Sequence, residues 1–106
     1  MKRLEQRERE NLARIFYTMI QTIPSFTNSL SIRISKTLVI NIIQVASIET
    51  LLPVYKVSVI MGWNIIGEVS MSVSLLGSRY EIEIREFKMA GGLKRIREVM
   101  EIIRTH

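Results

Sequence analysis

The chain has 106 residues, 47% of them hydrophobic, with 15 Lys and Arg against 10 acidic residues and a net charge of +5. That is the length of one domain, and it is too apolar for a disordered chain. There is no Cys, every acidic residue is Glu, and the only His is the last residue, His106; this excludes disulfide scaffolds, thiol nucleophiles, Cys/His zinc sites, Asp-based calcium loops and an internal His triad.

Residues 2–23 read as a helix. Leu12, Ile15, Phe16, Met19, Ile20 and Ile23 repeat at the spacing of one helical face. Glu5→Arg9 and Glu10→Arg14 stand four apart in the favourable order. Pro24 stops the helix, and residues 25–29 read as a loop. In the first ten residues only Met1 and Leu4 are apolar. Residues 1–10 are therefore either a solvated helical arm or a docking surface.

A strand-rich middle follows. Leu30, Ile32 and Ile34 alternate with Ser31, Arg33 and Ser35, the pattern of a half-buried strand. Residues 37–46 are β-branched and apolar on both parities, which suits a strand covered on both faces. No Gly or Asn marks a turn between these runs, so one long bent strand and a hairpin near Lys36 both remain open. Residues 47–53 resemble one helical turn capped by Ser47. Alternation returns at Tyr55, Val57, Val59 and Met61, and Gly62-Trp63-Asn64 is a turn candidate.

The firmest pattern comes next. Val69, Met71, Val73 and Leu75 alternate with Glu68, Ser70, Ser72 and Ser74, and after Gly77-Ser78 the apolar series resumes at Tyr80, Ile82 and Ile84. A two-residue loop with Gly first is what a type II′ hairpin demands. With Gly77-Ser78 at the tip, Leu75 opposes Tyr80, Val73 opposes Ile82 and Met71 opposes Ile84; a one-residue slip destroys the match. Gly91-Gly92 then separates the strand from a second helix, residues 93–104, with the stripe Leu93, Ile96, Val99, Met100 and Ile103. Lys94–Glu98 and Arg97–Glu101 are its i,i+4 pairs, in the less favourable order. The expected fold is one two-layer α+β domain over residues 1–106: an N-terminal helix, a four- or five-stranded mostly antiparallel sheet, and a C-terminal helix, both helices on one face. The other face carries Ser70, Ser72, Ser74, Glu81, Glu83 and Arg85, and is polar.

The charge is uneven. Residues 1–14 hold five basic and three acidic groups, residues 15–87 balance, and residues 88–106 hold five basic and two acidic groups. A localised basic surface is the electrostatic footprint of a phosphate-backbone binder, although salt-bridge-laced solvated faces look similar. Gly91 and Gly92 precede a helix start with Lys94 and Arg95 in its first turn. Free N–H groups there can hold a phosphate, and cations at a helix N-terminus oppose the macrodipole unless an anion is present. A Gly pair that simply turns the chain is the plainer account, and the spacing is not a P-loop. Trp63, the only Trp, is either a stacking platform or partner anchor, or a lid on the end of the core; the lid is the commoner use. Glu81 and Glu83 lie roughly 7 Å apart on one strand face, but flanking Arg79 and Arg85 favour a charge-balanced solvated row over acid/base work.

In element order, the pattern of helix, two strands, short helix, three strands and helix resembles the roadblock/longin-type light chains, a resemblance that implies a dimeric adaptor. The basic residues Lys94-Arg95 opening the last helix are similar in placement to the Lys run of double-stranded-RNA-binding domains. Neither resemblance transfers site residues. The expectation is a non-enzymatic nucleic-acid-binding homodimer contacting phosphates through Lys88, Gly91, Gly92, Lys94, Arg95, Arg97, Arg3 and Arg7, with Trp63 as a stacking or partner contact. No catalytic residue, metal or cofactor is expected. The alternative is an adaptor or assembly subunit that docks a protein through residues 1–14. No apolar run of 18 residues exists and the N-terminus mixes Lys2, Arg3, Arg7 and Arg9 with Glu5, Glu8 and Glu10, so neither a membrane span nor a signal peptide is read and the location expected is cytoplasmic. The 17 Ile and ten Arg against five Lys give a thermophile-like composition.

Overall fold

A computed structural model describes residues 2–22, 28–45 and 53–106, without the side chains of Lys2, Leu75, Leu76 and Tyr80. Helix α1 (Lys2–Ile20) is followed by strands β1 (Ser29–Arg33), β2 (Leu38–Val45), β3 (Val54–Met61), β4 (Asn64–Leu76) and β5 (Arg79–Met89), and helix α2 (Gly92–Arg104) closes the chain. The five strands form one antiparallel meander in the order β1-β2-β3-β4-β5. Both helices pack on one face of it, as the two apolar stripes require. The short helical turn expected at residues 47–53 falls largely outside the described residues, as does Ile23.

The core follows the periodicities. Leu12, Phe16 and Ile20 of α1 and Ile96, Val99 and Met100 of α2 meet Leu38, Ile40 and Ile42 of β2, Val57 and Val59 of β3, and Val69 and Met71 of β4. Each of these large side chains is buried, worth about 1.5–3 kcal/mol relative to exposure. The β4–β5 register agrees with the sequence reading pair for pair: Leu75↔Tyr80, Val73↔Ile82 and Met71↔Ile84. Gly77 has φ +63°, and among the described residues no other residue type has positive φ, which suits a turn needing Gly first.

Several expectations are corrected. Chain reversal after β1 settles the choice near Lys36 in favour of a hairpin. Its signal is Ser35, whose Oγ accepts from the backbone N–H of Thr37 (3.2 Å) and Leu38 (3.0 Å). Strand β2 is not covered on both faces: Leu38, Ile40 and Ile42 face the helices, while Ile43 and Val45 are exposed on the open face. That open face is therefore less polar than expected, because apolar side chains share it with Ser31, Arg33, Lys56 and Glu68. Asn64 is paired with Met61 in the ladder rather than in the turn. In β5 the register shifts between Ser70 and Met71, so that Arg85 is the extra residue between Ile84 and Glu86. This bulge switches parity and lets Phe87 and Met89 join Ile82 and Ile84 against the core.

No described helix is long and apolar enough to cross a membrane.

Candidate functional site

The meander brings distant parts of the chain to one end of the molecule. Strands β1, β3 and β5 all run toward that end, so the turns at residues 35–37, 62–63 and 90–91 gather there. Gly62 N–H bonds to the Thr37 carbonyl at 2.8 Å, and Arg95 donates from Nη1 to the Met61 sulfur at 3.1 Å. Helix α1 also starts there. Glu5 Oε1 lies 3.9 Å from the place a Cβ on Gly92 would take, and Glu8 pairs with Arg97 at 3.9 Å. Arg3, Lys36, Trp63, Lys88, Gly91, Gly92, Lys94 and Arg95 thus share one pole, although they span most of the sequence.

Trp63 is 99% exposed, which overturns the lid reading. It occupies the second position of a two-residue turn in which Gly62 has φ +65°. Met61, the residue before the turn, accepts from Arg95. Ile65, 61% exposed and two residues further on, pairs with Ile60 across the β3–β4 ladder.

The cations at this pole differ in how free they are. Lys88 pairs with Glu86 at 2.8 Å, and Arg95 with Glu98 at 3.6 Å. Glu5 and Glu68 are taken by Arg9 (3.0 Å) and Lys56 (3.9 Å). Arg33 donates to the carbonyls of Ser35 and Lys36. Among the described residues, Arg3, Arg7, Lys36 and Lys94 make no ion pair. The expected Lys94–Glu98 and Arg97–Glu101 pairs do not form, because Arg95 reaches Glu98 and α1 offers Glu8 to Arg97. The Lys88–Glu86 contact holds the Glu86 carboxyl below the usual glutamate range and raises the Lys88 ammonium above the usual lysine range, the hydrogen bond being the larger cause in each case.

Gly91, in the left-handed region at φ +92°, precedes the first turn of α2. No side-chain cap bonds that helix start. The Glu5 carboxylate stands beside it and offsets the conflict between Lys94, Arg95 and the helix dipole. The protein's own carboxylate is thus already near the position at which the sequence suggested an external phosphate. Lys36 was not singled out from sequence; only the hairpin at Ser35 brings it to this pole.

Ser72 and Ser74 face Glu83 and Glu81 across the β4–β5 ladder, and Arg85 Nη1 donates to Ser72 Oγ at 3.4 Å. Among the described residues no three His, Asp or Glu side chains gather as metal ligands. No family model, curated protein or solved structure matches the chain.

Proposed function

We propose that this pole binds single-stranded nucleic acid, with Arg3, Lys36 and Lys94 on phosphates and the Trp63 indole stacked on a base. The observation that carries the reading is the 99% exposure of the only Trp, on a turn whose neighbours Gly62 and Met61 touch Thr37 and Arg95, next in sequence to Lys36 and Lys94. An exposed aromatic with a cationic surround is how proteins hold unpaired bases with little sequence preference. The role is binding rather than catalysis, and a homodimer belongs to this reading through doubled phosphate contacts.

Intrinsic fluorescence tests it directly, because Trp63 is the sole tryptophan. Titration with oligonucleotides of about 15 nucleotides quenches it saturably, and single strands quench more than duplex. Three phosphate contacts per site give a log–log salt slope near −2 on single strands, about −0.7 for each. An unchanged spectrum at low salt overturns the proposal. A protein adaptor is the second reading, favoured by the exposure of two large apolar side chains, Trp63 and Ile65, within three residues of sequence; it predicts that no polynucleotide quenches the fluorescence.

A further inference from the structure

Both helices pack on one face of the sheet, and no described helix or strand covers the other. Residues opposed in the ladder point to the same face, so the pairing sorts the open face into rows. On β2 and β3 the rows are Val39 with Ile60, Asn41 with Ser58, Ile43 with Lys56, and Val45 with Val54. The two end rows are wholly apolar, and the two middle rows carry the polar groups. Ile43 and Val45 are 39% and 43% exposed, and Ile65, which extends the Val39–Ile60 row onto β4, is 61% exposed. Glu68 extends the Ser58 row and lies 3.9 Å from Lys56. Exposed aliphatic side chains gathered on one face, rather than scattered singly, mark an interaction surface.

This order is self-complementary. A second copy turned over about an axis that crosses the strands, midway between the two middle rows, sets Val39 and Ile60 against its own Val45 and Val54. The same contact repeats on the other side of the axis. Lys56 then faces Ser58 of the second copy and stands one strand away from that copy's Glu68. Sheets of an aligned sandwich cross at about 30°, which moves rows this close to the axis by only about 1–3 Å. An axis running along the strands, between β2 and β3, matches the apolar rows equally well. It leaves the two copies' Lys56 side by side at about one strand spacing, roughly 4.8 Å. Charge therefore favours the crosswise axis. Apolar rows at equal distances either side of a Lys56/Glu68 centre are what an isologous contact requires, since one patch must fit itself. Residue pairs along a strand rise about 6.8 Å and strands stand about 4.8 Å apart, so four rows on five strands cover roughly 650 Å². Stable interfaces begin at about 600 Å² per partner.

We propose that the open sheet face is a homodimer interface, on which a second copy lies face to face with its β2 and β3 antiparallel to those beneath them. The Trp63 poles then stand at opposite ends of the dimer. This assembly goes beyond the nucleic-acid reading of the pole and needs no nucleic acid to form.

Sedimentation of the full chain alone, from about 1 μM to about 1 mM, shows a dimer. The test variants are Lys56→Glu and Glu68→Lys, both at part-exposed positions on the open face, and amide spectra show each folded. Each by itself weakens self-association about tenfold or more, because like charges then meet across the interface. An equimolar mixture of the two restores association as a heterodimer, since the facing positions again carry opposite charges. Mixing leaves the pair within each chain broken, so the recovery reports the contact between copies. Isotope-filtered NOEs join Val39 and Ile60 of one copy to Val45 and Val54 of the other. A monomer throughout the concentration range overturns the proposal. So does a dimer that neither variant weakens, a mixture that associates no more tightly than the single variants, or NOEs that place the contact on β5 or at the Trp63 pole. Quenching of Trp63 by an oligonucleotide is a separate readout, so the two proposals fail independently.

Discussion

The Arg95 guanidinium donates to the Met61 sulfur at 3.1 Å, fastening the first turn of α2 to the end of β3, one residue before the Gly62-Trp63 turn. This contact joins two features more than thirty residues apart in sequence, the cation-rich helix start and the lone tryptophan. It gives the proposed site a fixed framework: the turn is tied at its base while its tip projects into solvent.

Trp63→Ala separates binding from folding. The side chain is exposed, so the melting curve stays within about 0.5 kcal/mol of wild type. Affinity for a single-stranded oligonucleotide, read by a labelled strand because the intrinsic signal is gone, falls by about 5- to 160-fold, matching about 1–3 kcal/mol per stacked base. Retention of full affinity removes Trp63 from the interface.

The cations rank by their partners. Lys94→Ala, Lys36→Ala and Arg3→Ala each reduce the salt slope on single strands by about 0.7, measured by anisotropy at several salt concentrations. Lys88→Ala changes affinity less than any of these, since Glu86 at 2.8 Å already balances its charge. A larger effect at Lys88 than at Lys94 contradicts this ranking.

The Lys88–Glu86 pair carries its own pH signature. Glu86 titrates lower in the folded protein than in the unfolded chain, so its contribution is present at neutral pH and lost as pH falls through its folded titration. Lys88 titrates higher when folded, so its contribution is lost as pH rises through that raised value. Carboxyl NMR titration places Glu86 below the ordinary glutamate value, and Lys88→Met returns it there.

Gly67 opposes Met89, and a Cβ at Gly67 would lie 2.6 Å from the Met89 sulfur and 3.0 Å from the Lys88 carbonyl oxygen. Gly67→Val therefore destabilises the domain by about 1–3 kcal/mol, the usual cost of overpacking, in a denaturant melt. Met89→Ala in the same chain recovers part of that loss, since the Met89 side chain is the movable neighbour.

The alternating stretches were legible because a period-two pattern with one face on a core leaves a single workable register. Residues 69–84 show this: the Gly-first turn and the matched apolar rows fix the β4–β5 pairing. The Ser35 turn was harder, since a hydroxyl accepting from the next backbone N–H groups leaves a weaker mark than Gly or Asn. The β5 bulge left a trace in Phe87 and Met89, which alternate out of phase with Ile82 and Ile84, but only a sheet that must bury both sets gives that phase change meaning.

Local periodicity and turn chemistry, then, determine the two helices and the β4–β5 hairpin from sequence alone, because each depends on neighbours within a few residues, whereas the run of apolar residues on both parities of β2 left its open face to be decided by the sheet. Tertiary structure decides the rest. Whether Trp63 covers the core or stands in solvent depends on where the 62–63 turn lies against the rest of the fold, and it leaves the side chain 99% exposed. Which cations are free depends on carboxylates from other elements, as Glu8 meeting Arg97 shows. The +5 in the composition says only that an acidic partner is electrostatically favoured. The fold sorts part of that charge into a pole with unpaired cations, because it brings together groups that the chain keeps apart.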